Sequence, residues 1–332
     1  MSYSTMLKKV RQVRLDENAL TALSDAGRGG RERPWRAYKM ANELLSQAYS
    51  GYNDSKAARL SLCGKSLTFI VDDSGNKKLI NAESCRVRLC PLCAWRRSLK
   101  NFWNTTRILN FWQQVGEEYS FIFLTLTVRN VEGVKLSSTL DALFGAFQRF
   151  SQRDAVRKVF LGMVRNVEIT HNINPKSESY DTFHPHIHCI VAVKPSYFKS
   201  HDYLSQKRIT ALWREALRAD YDPIVDVRRV KGSDAHAVAE CSKYAAKAAD
   251  YIIPDDWDLT VATVKILDRA LDRRRLIAYT GVFRKAMNAL KLEDAEDGDL
   301  NNVGSLDDVA LGEHTHVETY YWYSGYRQYY RV

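Results

Sequence analysis

Phe183-His184-Pro185-His186-Ile187-His188-Cys189-Ile190-Val191-Ala192-Val193 reads as a β-strand, apolar and β-branched from Ile187 onward, with Pro185 tolerable only near its start. Side chains alternate faces along a strand. His186 and His188 therefore point the same way, and Ile187 faces the opposite layer. Two imidazoles side by side on a stiff strand present their ring nitrogens together, which is half of a metal site. The plain alternative is a pair of hydrogen-bonded histidines on a solvated sheet face.

The elements around this strand set the fold class. Phe121-Ile122-Phe123-Leu124-Thr125-Leu126-Thr127-Val128 is a second strong strand. Residues 136–150 read as an amphipathic helix with Leu140, Leu143, Phe144 and Phe147 on one stripe. Residues 160–170, with Val164, Val167 and Ile169, read as a strand, and the loop that follows is broken at Asn174-Pro175. After the histidine strand the pattern gives a helix over 205–217 and a strand over 224–230. A last helix, capped by Ser233 or Asp234, is expected to run to about Tyr251, with Pro254 helping to stop it. Strands interleaved with helices, one pair joined directly, predict an α+β fold with helices packed on an antiparallel sheet.

The chain has 332 residues, 45% hydrophobic and 27% charged, as an ordinary globular protein has. No apolar run approaches the roughly 20 residues of a membrane span, and the N-terminus lacks a signal-peptide pattern, so a cytoplasmic protein with no membrane partner is expected. The net charge of +10 is uneven. Nine acids and no Lys or Arg fall between Leu292 and Glu318, which leaves about +19 on the rest, a balance that suits a polyanion such as nucleic acid.

Three of the six cysteines lie in Cys85-Arg86-Val87-Arg88-Leu89-Cys90-Pro91-Leu92-Cys93, where Cys90 and Cys93 form a CxxC knuckle. Clustered thiols in a reducing compartment favour zinc over disulfides. Leu67, Phe69 and Val71 alternate into the turn residues Asp72 to Asn76, after which the chain runs back. Folding this ribbon about Ser74-Gly75 puts residue 63 opposite residue 86, which brings Cys63 beside Cys85 as a fourth ligand. Arg86, Arg88, Arg96, Arg97 and Lys100 surround the knuckle, and Arg228 and Arg229 lie on the later strand; these arginines are candidate contacts to DNA phosphates. Cys189 and Cys241 read as small buried apolar residues.

The expected last helix carries a second chemical cluster, Glu240-Cys241-Ser242-Lys243-Tyr244-Ala245-Ala246-Lys247-Ala248-Ala249-Asp250-Tyr251. At about 100° per residue, Glu240 and Tyr244 would sit about 40° apart on one face, with Lys247 adjacent and Tyr251 near the same stripe. A phenol is a poor nucleophile at its ordinary pKa of about 10, but a nearby divalent ion that polarises a phosphate removes that handicap. The alternative is a solvated charged face with a packed tyrosine.

Taken together these segments resemble a family. Phe123-Leu124-Thr125-Leu126-Thr127 is similar to the first motif of rolling-circle replication initiators, and His184-Pro185-His186-Ile187-His188 to their His-hydrophobe-His metal motif. Glu240 to Tyr251 is similar to the nucleophile motif of the single-tyrosine plasmid Rep class. The three motifs occur in the family's order over roughly residues 60–290, whereas the first 55 residues and the tail after Lys291 match nothing in it. The resemblance implies the HUH endonuclease fold, a central antiparallel sheet with packed helices, plus the zinc hairpin. It also implies an acid on the preceding strand as third metal ligand, for which Glu168 is the natural candidate and His171 the competitor.

The implied chemistry is a nick in one DNA strand at a plasmid origin. A Mg or Mn ion on His186, His188 and Glu168 would grip the scissile phosphate, and Tyr244 would attack it, leaving a 5′-phosphotyrosine and a free 3′-hydroxyl. Glu240 would serve as the base at termination, and Lys247 would neutralise phosphate charge. The substrate is expected to be single-stranded or locally melted. Gly64-Lys65-Ser66 does not complete a phosphate-binding loop, because position 59 is Arg, so a host helicase, like the host polymerase, is an expected partner. The organisation expected is an N-terminal accessory segment over 1–58, a zinc-knuckle element over 59–104, the endonuclease domain over 105–291, and an acidic linker with an aromatic tail over 292–332. A relaxase or single-strand transposase would use similar chemistry. A zinc-dependent DNA-binding regulator would explain the cysteines but leave His186, His188 and Tyr244 without a role.

Overall fold

The protein is described from a computed structural model that covers residues 21–25, 33–116, 118–230, 235–304 and 315–332. Helices α1 (Trp35–Tyr49) and α2 (Asp54–Leu62) lead into the hairpin β1 (Ser66–Asp72) and β2 (Lys77–Ala82), then into α3 (Pro91–Gln114). The central region runs β3 (Ser120–Thr127), β4 (Val131–Glu132), α4 (Leu136–Ser151), α5 (Asp154–Arg157), β5 (Gly162–Asn172), β6 (Thr182–Val193) and α6 (Gln206–Leu217). It continues through β7 (Val225–Val230), α7 (Ala235–Cys241), α8 (Trp257–Leu271), β8 (Ala278–Tyr279) and α9 (Gly281–Ala289), and the chain closes with β9 (Thr315–Tyr323) and β10 (Gln328–Arg331). Local chemistry fixes several starts. The Asn53 side chain accepts from the Lys56 N–H at α2, Ser205 accepts from Arg208 at α6, and Pro91 opens α3 where its missing N–H costs nothing.

The larger sheet has the order β7-β3-β6-β5-β8 with every pairing antiparallel, and β4 adds to β6. An α+β fold is therefore observed. The histidine strand lies at its centre, and strand alternation sorts its side chains between two cores. Ile122, Leu124, Leu126, Val167, Ile187 and Val191 face α4, α6 and α8 through Leu140, Leu143, Trp213 and Val264. Phe121, Phe123, Val164, Ile190 and Ala192 face α3, α7 and α9 through Ile108, Val238 and Phe283. Each buried Ile, Val or Phe contributes about 1.5–3 kcal/mol relative to exposure, so the sheet is held rigidly from both sides. Cys189 and Cys241 are fully buried, as expected.

The smaller sheet has the order β10-β9-β1-β2. Here one expectation is corrected. The acidic stretch is not a free linker over 292–304, because Lys100 and Arg96 on α3 reach it: Lys100 pairs with Glu293 and donates to the Asp299 carbonyl at 2.7 Å, and Arg96 donates to the carbonyls of Leu300 and Asn301 at 2.8 and 2.9 Å. Ala295, Leu300 and Val303 are buried beneath it. The remaining part, 305–314, lies outside the described residues. The aromatic tail is structural: β9 pairs with β1 in the register Thr68↔Thr319, and Tyr320, Trp322 and Tyr329 are buried in the core.

The same contacts correct the reading of the knuckle arginines. Arg96 and Arg97 are buried, Arg88 is paired with Glu296, and Arg86 donates to the carbonyls of Asp297 and Gly298. Arg86, Arg88 and Arg96 hold the acidic segment, a protein polyanion supplied by the chain itself, and Arg97 donates to the Arg86 carbonyl at 3.1 Å. Arg228 and Arg229 on β7 remain exposed.

Candidate active site

The register of the large sheet brings the expected residues together. Glu168 on β5 stands directly opposite His186 on β6, and His188 stands between Asn166 and Thr125 of the flanking strands. All are on one face, at the end of the sheet where the second core stops. Nε2 of His186 and Nε2 of His188 lie 3.3 and 3.2 Å from the same Glu168 oxygen, Oε2. The three ligand atoms fall within 4.8 Å of one another, and all three side chains are buried. Such a set of two imidazoles and one carboxylate, convergent and withdrawn from water, is the chemistry of a divalent-cation site.

The surroundings orient these donors. Nδ1 of His186 lies 3.1 Å from the His184 carbonyl, a partner that can only accept, so Nδ1 carries a proton and the ring is oriented with Nε2 toward Glu168, where a bound cation would take the place of the Nε2 proton. Nδ1 of His188 is 3.1 Å from the Thr125 hydroxyl, which gives the Phe123–Thr127 motif a physical task. Burial alone would push the Glu168 carboxyl up, but the hydrogen bonds from His186 and His188 outweigh it and hold the group well below the usual carboxylate range. It is therefore an anion throughout the working range of pH. Lys247 reaches the other Glu168 oxygen at 3.4 Å; burial would lower its ammonium, and the Glu168 charge holds it above its ordinary value instead.

His171 does not join this cluster. It lies on the opposite face of β5, with Nδ1 3.0 Å from the Asp250 carbonyl, Nε2 2.9 Å from Asp181, and its ring stacked on Phe183.

Tyr244 is placed differently from the sequence expectation. The helix ends at Cys241, and residues 242–247 leave it as an irregular segment followed by a short 3-10 turn, so Glu240 and Tyr244 do not share a helical face. The Ser233 or Asp234 cap lies outside the described residues. The cause of the break is the open edge of β5. The Ile169 N–H donates to the Ala245 carbonyl at 2.7 Å, and the Asn166 amide donates to the Lys243 carbonyl. These two bonds flank Tyr244 in the chain and fasten its loop to the strand that carries Glu168. Tertiary hydrogen bonding thus overrides the helical propensity of the alanines.

Glu240 is bound to Lys243 at 2.6 Å, and Tyr244 places its hydroxyl 3.2 Å from that of Tyr38 on α1. Tyr251 is buried and donates to the Leu89 carbonyl at 2.5 Å, so it faces the knuckle.

The four cysteines form a second donor cluster. The hairpin register pairs Leu67 with Ala82 and brings the Cys85 N–H to 3.5 Å from the Cys63 sulfur, although Cys63 caps α2 rather than extending the strand. Sulfur–sulfur distances are 3.5 Å for Cys63 and Cys90, 3.6 Å for Cys63 and Cys93, and 3.8 Å for Cys85 and Cys93. Hydrogen bonds from the other three pull the Cys93 thiol well below its usual value, and Arg97 adds to this, while the Cys63 and Cys90 thiols are pushed well above theirs. Asn42 donates to the Cys90 sulfur at 3.3 Å, and the buried Lys39 donates to the Cys63 carbonyl at 2.7 Å. Sequence reading missed Lys39, Asn42 and Tyr38, all on α1, because nothing local ties them to residues far along the chain. Asn166 and Thr125 were open to detection from strand alternation once the register was known.

Among known proteins, a family model described as "Replication protein" matches residues 76–331. A "Protein rep" from Bacillus amyloliquefaciens is 37% identical over 345 residues, covering 94% of this chain and 98% of that protein. A second "Protein rep", from Streptococcus pneumoniae serotype 2, is 35% identical over 86% of this chain and 88% of its own. A third, from a Bacillus species, is 38% identical over 77% of this chain and 88% of its own. No solved structure matches the chain.

Proposed function

The chain belongs to the replication protein family, that of the plasmid Rep initiators, and on that premise we propose that it nicks one strand of its plasmid origin as a single-tyrosine enzyme of the HUH endonuclease fold. The observation that carries this reading is the fastening of the Tyr244 loop to β5 beside the convergent Glu168, His186 and His188. A regulator without catalysis would have no use for that arrangement.

Glu168, His186 and His188 would hold a Mg or Mn ion, whose role when bound is to withdraw charge from the scissile phosphate as a Lewis acid. Tyr244 Oη attacks phosphorus, so that an O–P bond forms as the bond from phosphorus to the 3′-oxygen breaks. The phenolic proton passes to water, and the departing oxygen takes one up. The products are a 5′-phosphotyrosine and a free 3′-hydroxyl for a host polymerase. Because the new link is itself an ester, reversing the same steps rejoins strands at termination. Lys247, drawn toward Glu168, stands where it neutralises phosphate charge. Glu240, released from Lys243, acts as the base for the closing step. Strand opening falls to a host helicase, and Arg228 and Arg229 are the exposed arginines left to meet the single strand.

The cysteine cluster is assigned to one structural zinc. A tetrahedral ion with sulfur ligands about 2.3 Å away separates the sulfurs by about 3.8 Å, close to the spacings here. Four buried thiols that cannot all ionise alone also call for a cation.

The test uses single-stranded oligonucleotides tiling the parent replicon, with Mn present. The wild-type chain should form a covalent adduct with one of them, and Tyr244→Phe should abolish it while leaving DNA binding within a few-fold. An adduct that persists in Tyr244→Phe overturns the assignment.

A further inference from the structure

Helix α1 precedes residues 76–331, which the family model matches, and it delivers a phenol to the proposed nucleophile. Tyr38 Oη lies 3.2 Å from Tyr244 Oη across 206 residues of sequence. Its ring is held by packing: it lies 5.6 Å from Trp95, which Trp35 meets edge-on at 4.8 Å, and the Arg96 guanidinium covers both tryptophans. Trp35 is almost fully buried, so the first turn of α1 is anchored and Tyr38 has a fixed position. Burial, and then the bond to Tyr244, hold the Tyr38 phenol well above its ordinary value. Either oxygen can donate in the mutual hydrogen bond at rest, and once Tyr244 has given up its proton only Tyr38 can be the donor.

We infer that Tyr38 is a positioning residue for the nucleophile: its hydroxyl donates to Tyr244 Oη, aims a lone pair of that oxygen, and stabilises the negative charge the oxygen gains on losing its proton. The inference rests on the reading of Tyr244 given above. A hydrogen bond to a charged oxygen is about twice as strong as one between neutral groups, so the donor favours the ionised nucleophile over the resting phenol. No bond to Tyr38 forms or breaks, and its own proton stays in place. The other charged and titratable groups near Tyr244 are Lys243 and Lys247 of its loop, Glu168 of β5, Arg88 and Arg97 at the knuckle, Glu296 of the acidic segment, and the buried Tyr251. All of these stay when Tyr38 alone is changed.

The experiment measures single-turnover adduct formation across pH 6.5–10 on the tiled oligonucleotide that the wild type attacks, for the wild type, Tyr38→Phe and Tyr244→Phe. Tyr38→Phe removes one oxygen and keeps the ring on Trp95. Its rate near neutral pH should fall about tenfold, its alkaline rise should move up by about one unit, and the two rates should converge at high pH. A wild-type profile in Tyr38→Phe, or an equal loss at every pH, overturns the inference. So does a Tyr244→Phe chain whose adduct maps to Tyr38 by mass spectrometry, because Tyr38 would then be a nucleophile itself. Loss of the adduct in Tyr244→Phe with an unshifted Tyr38→Phe profile would refute the role of Tyr38 alone and leave the reading of Tyr244 intact. A Tyr244→Phe adduct at any other residue would refute both.

Discussion

Tyr251→Phe separates the two tyrosines of the nucleophile segment. Tyr251 is 1% exposed, and its hydroxyl donates to the Leu89 carbonyl, between Cys85 and Cys90. Its phenol is pushed well above the ordinary value by burial, so ionising it to attack a phosphate is unfavourable. Removing the hydroxyl keeps the ring and its packing but leaves a buried carbonyl without that donor, at a cost of about 1–3 kcal/mol. At this chain length 1 kcal/mol moves the melting temperature by on the order of 2 °C, so a drop of about 2–6 °C is expected. Adduct formation should stay within about twofold of wild type once the protein is held well below its melting point. Thermal unfolding by circular dichroism and adduct yield on a denaturing gel read the two quantities separately. A Tyr251→Phe chain that melts like wild type and yields no adduct would refute the reasoning, since the phenol would then act in the chemistry and not as a brace.

Three further outcomes are expected. His186→Ala and His188→Ala should each weaken Mn binding at least tenfold in calorimetry and remove metal-dependent cleavage, whereas robust nicking in excess chelator would dismiss the metal. Deleting residues 315–332 strips β9 and β10 from β1 and exposes Leu67 and Phe69, so the truncated chain should aggregate or lose its zinc; a soluble truncation with full zinc by elemental analysis would contradict this. Glu318 is buried, but the Lys77, Tyr320 and Arg331 hydrogen bonds outweigh that burial and pull its carboxyl down to about 2. A depressed folded value means its stabilisation is complete above the ordinary 4.5 and is lost as pH falls through about 2. Glu318→Gln should therefore be less stable than wild type at neutral pH, with the gap closing below pH 4, and a gap constant with pH would exclude this linkage.

Much of the site was legible because strand alternation is a strict rule. It placed His186 and His188 together and put Ile187 in the opposite core, whereas Glu168 came from the family resemblance and only the strand register separates it from His171. Hairpin register likewise found Cys63 from the position of a turn. The Tyr244 loop was not legible, because Ala245, Ala246, Ala248 and Ala249 locally favour helix and only the β5 edge decides otherwise. The acidic segment misled for a related reason: its partner Arg96 lies 204 residues from Leu300, and a run of acids carries no sign of whether water or an arginine solvates it. The fold of the helix-flanked sheet was thus local in origin, and the closure of the small sheet was not.

That closure has a consequence for how the protein is made. Thr68 on β1 meets Thr319 on β9 across 251 residues, and the Tyr329 hydroxyl donates to the Gly64 carbonyl beside Cys63. At roughly 5–20 residues per second of synthesis, β1 waits on the order of 10–50 s before its partner strand leaves the ribosome. Until then the cysteine module lacks half of its sheet, and a pairing of such long contact order forms late. A nascent or prematurely terminated chain therefore carries the histidine strand and Tyr244 without the finished module that Tyr251 and α1 lean on. The module against which α1 and Tyr251 pack is therefore complete only after β9 has been made, long after the histidine strand.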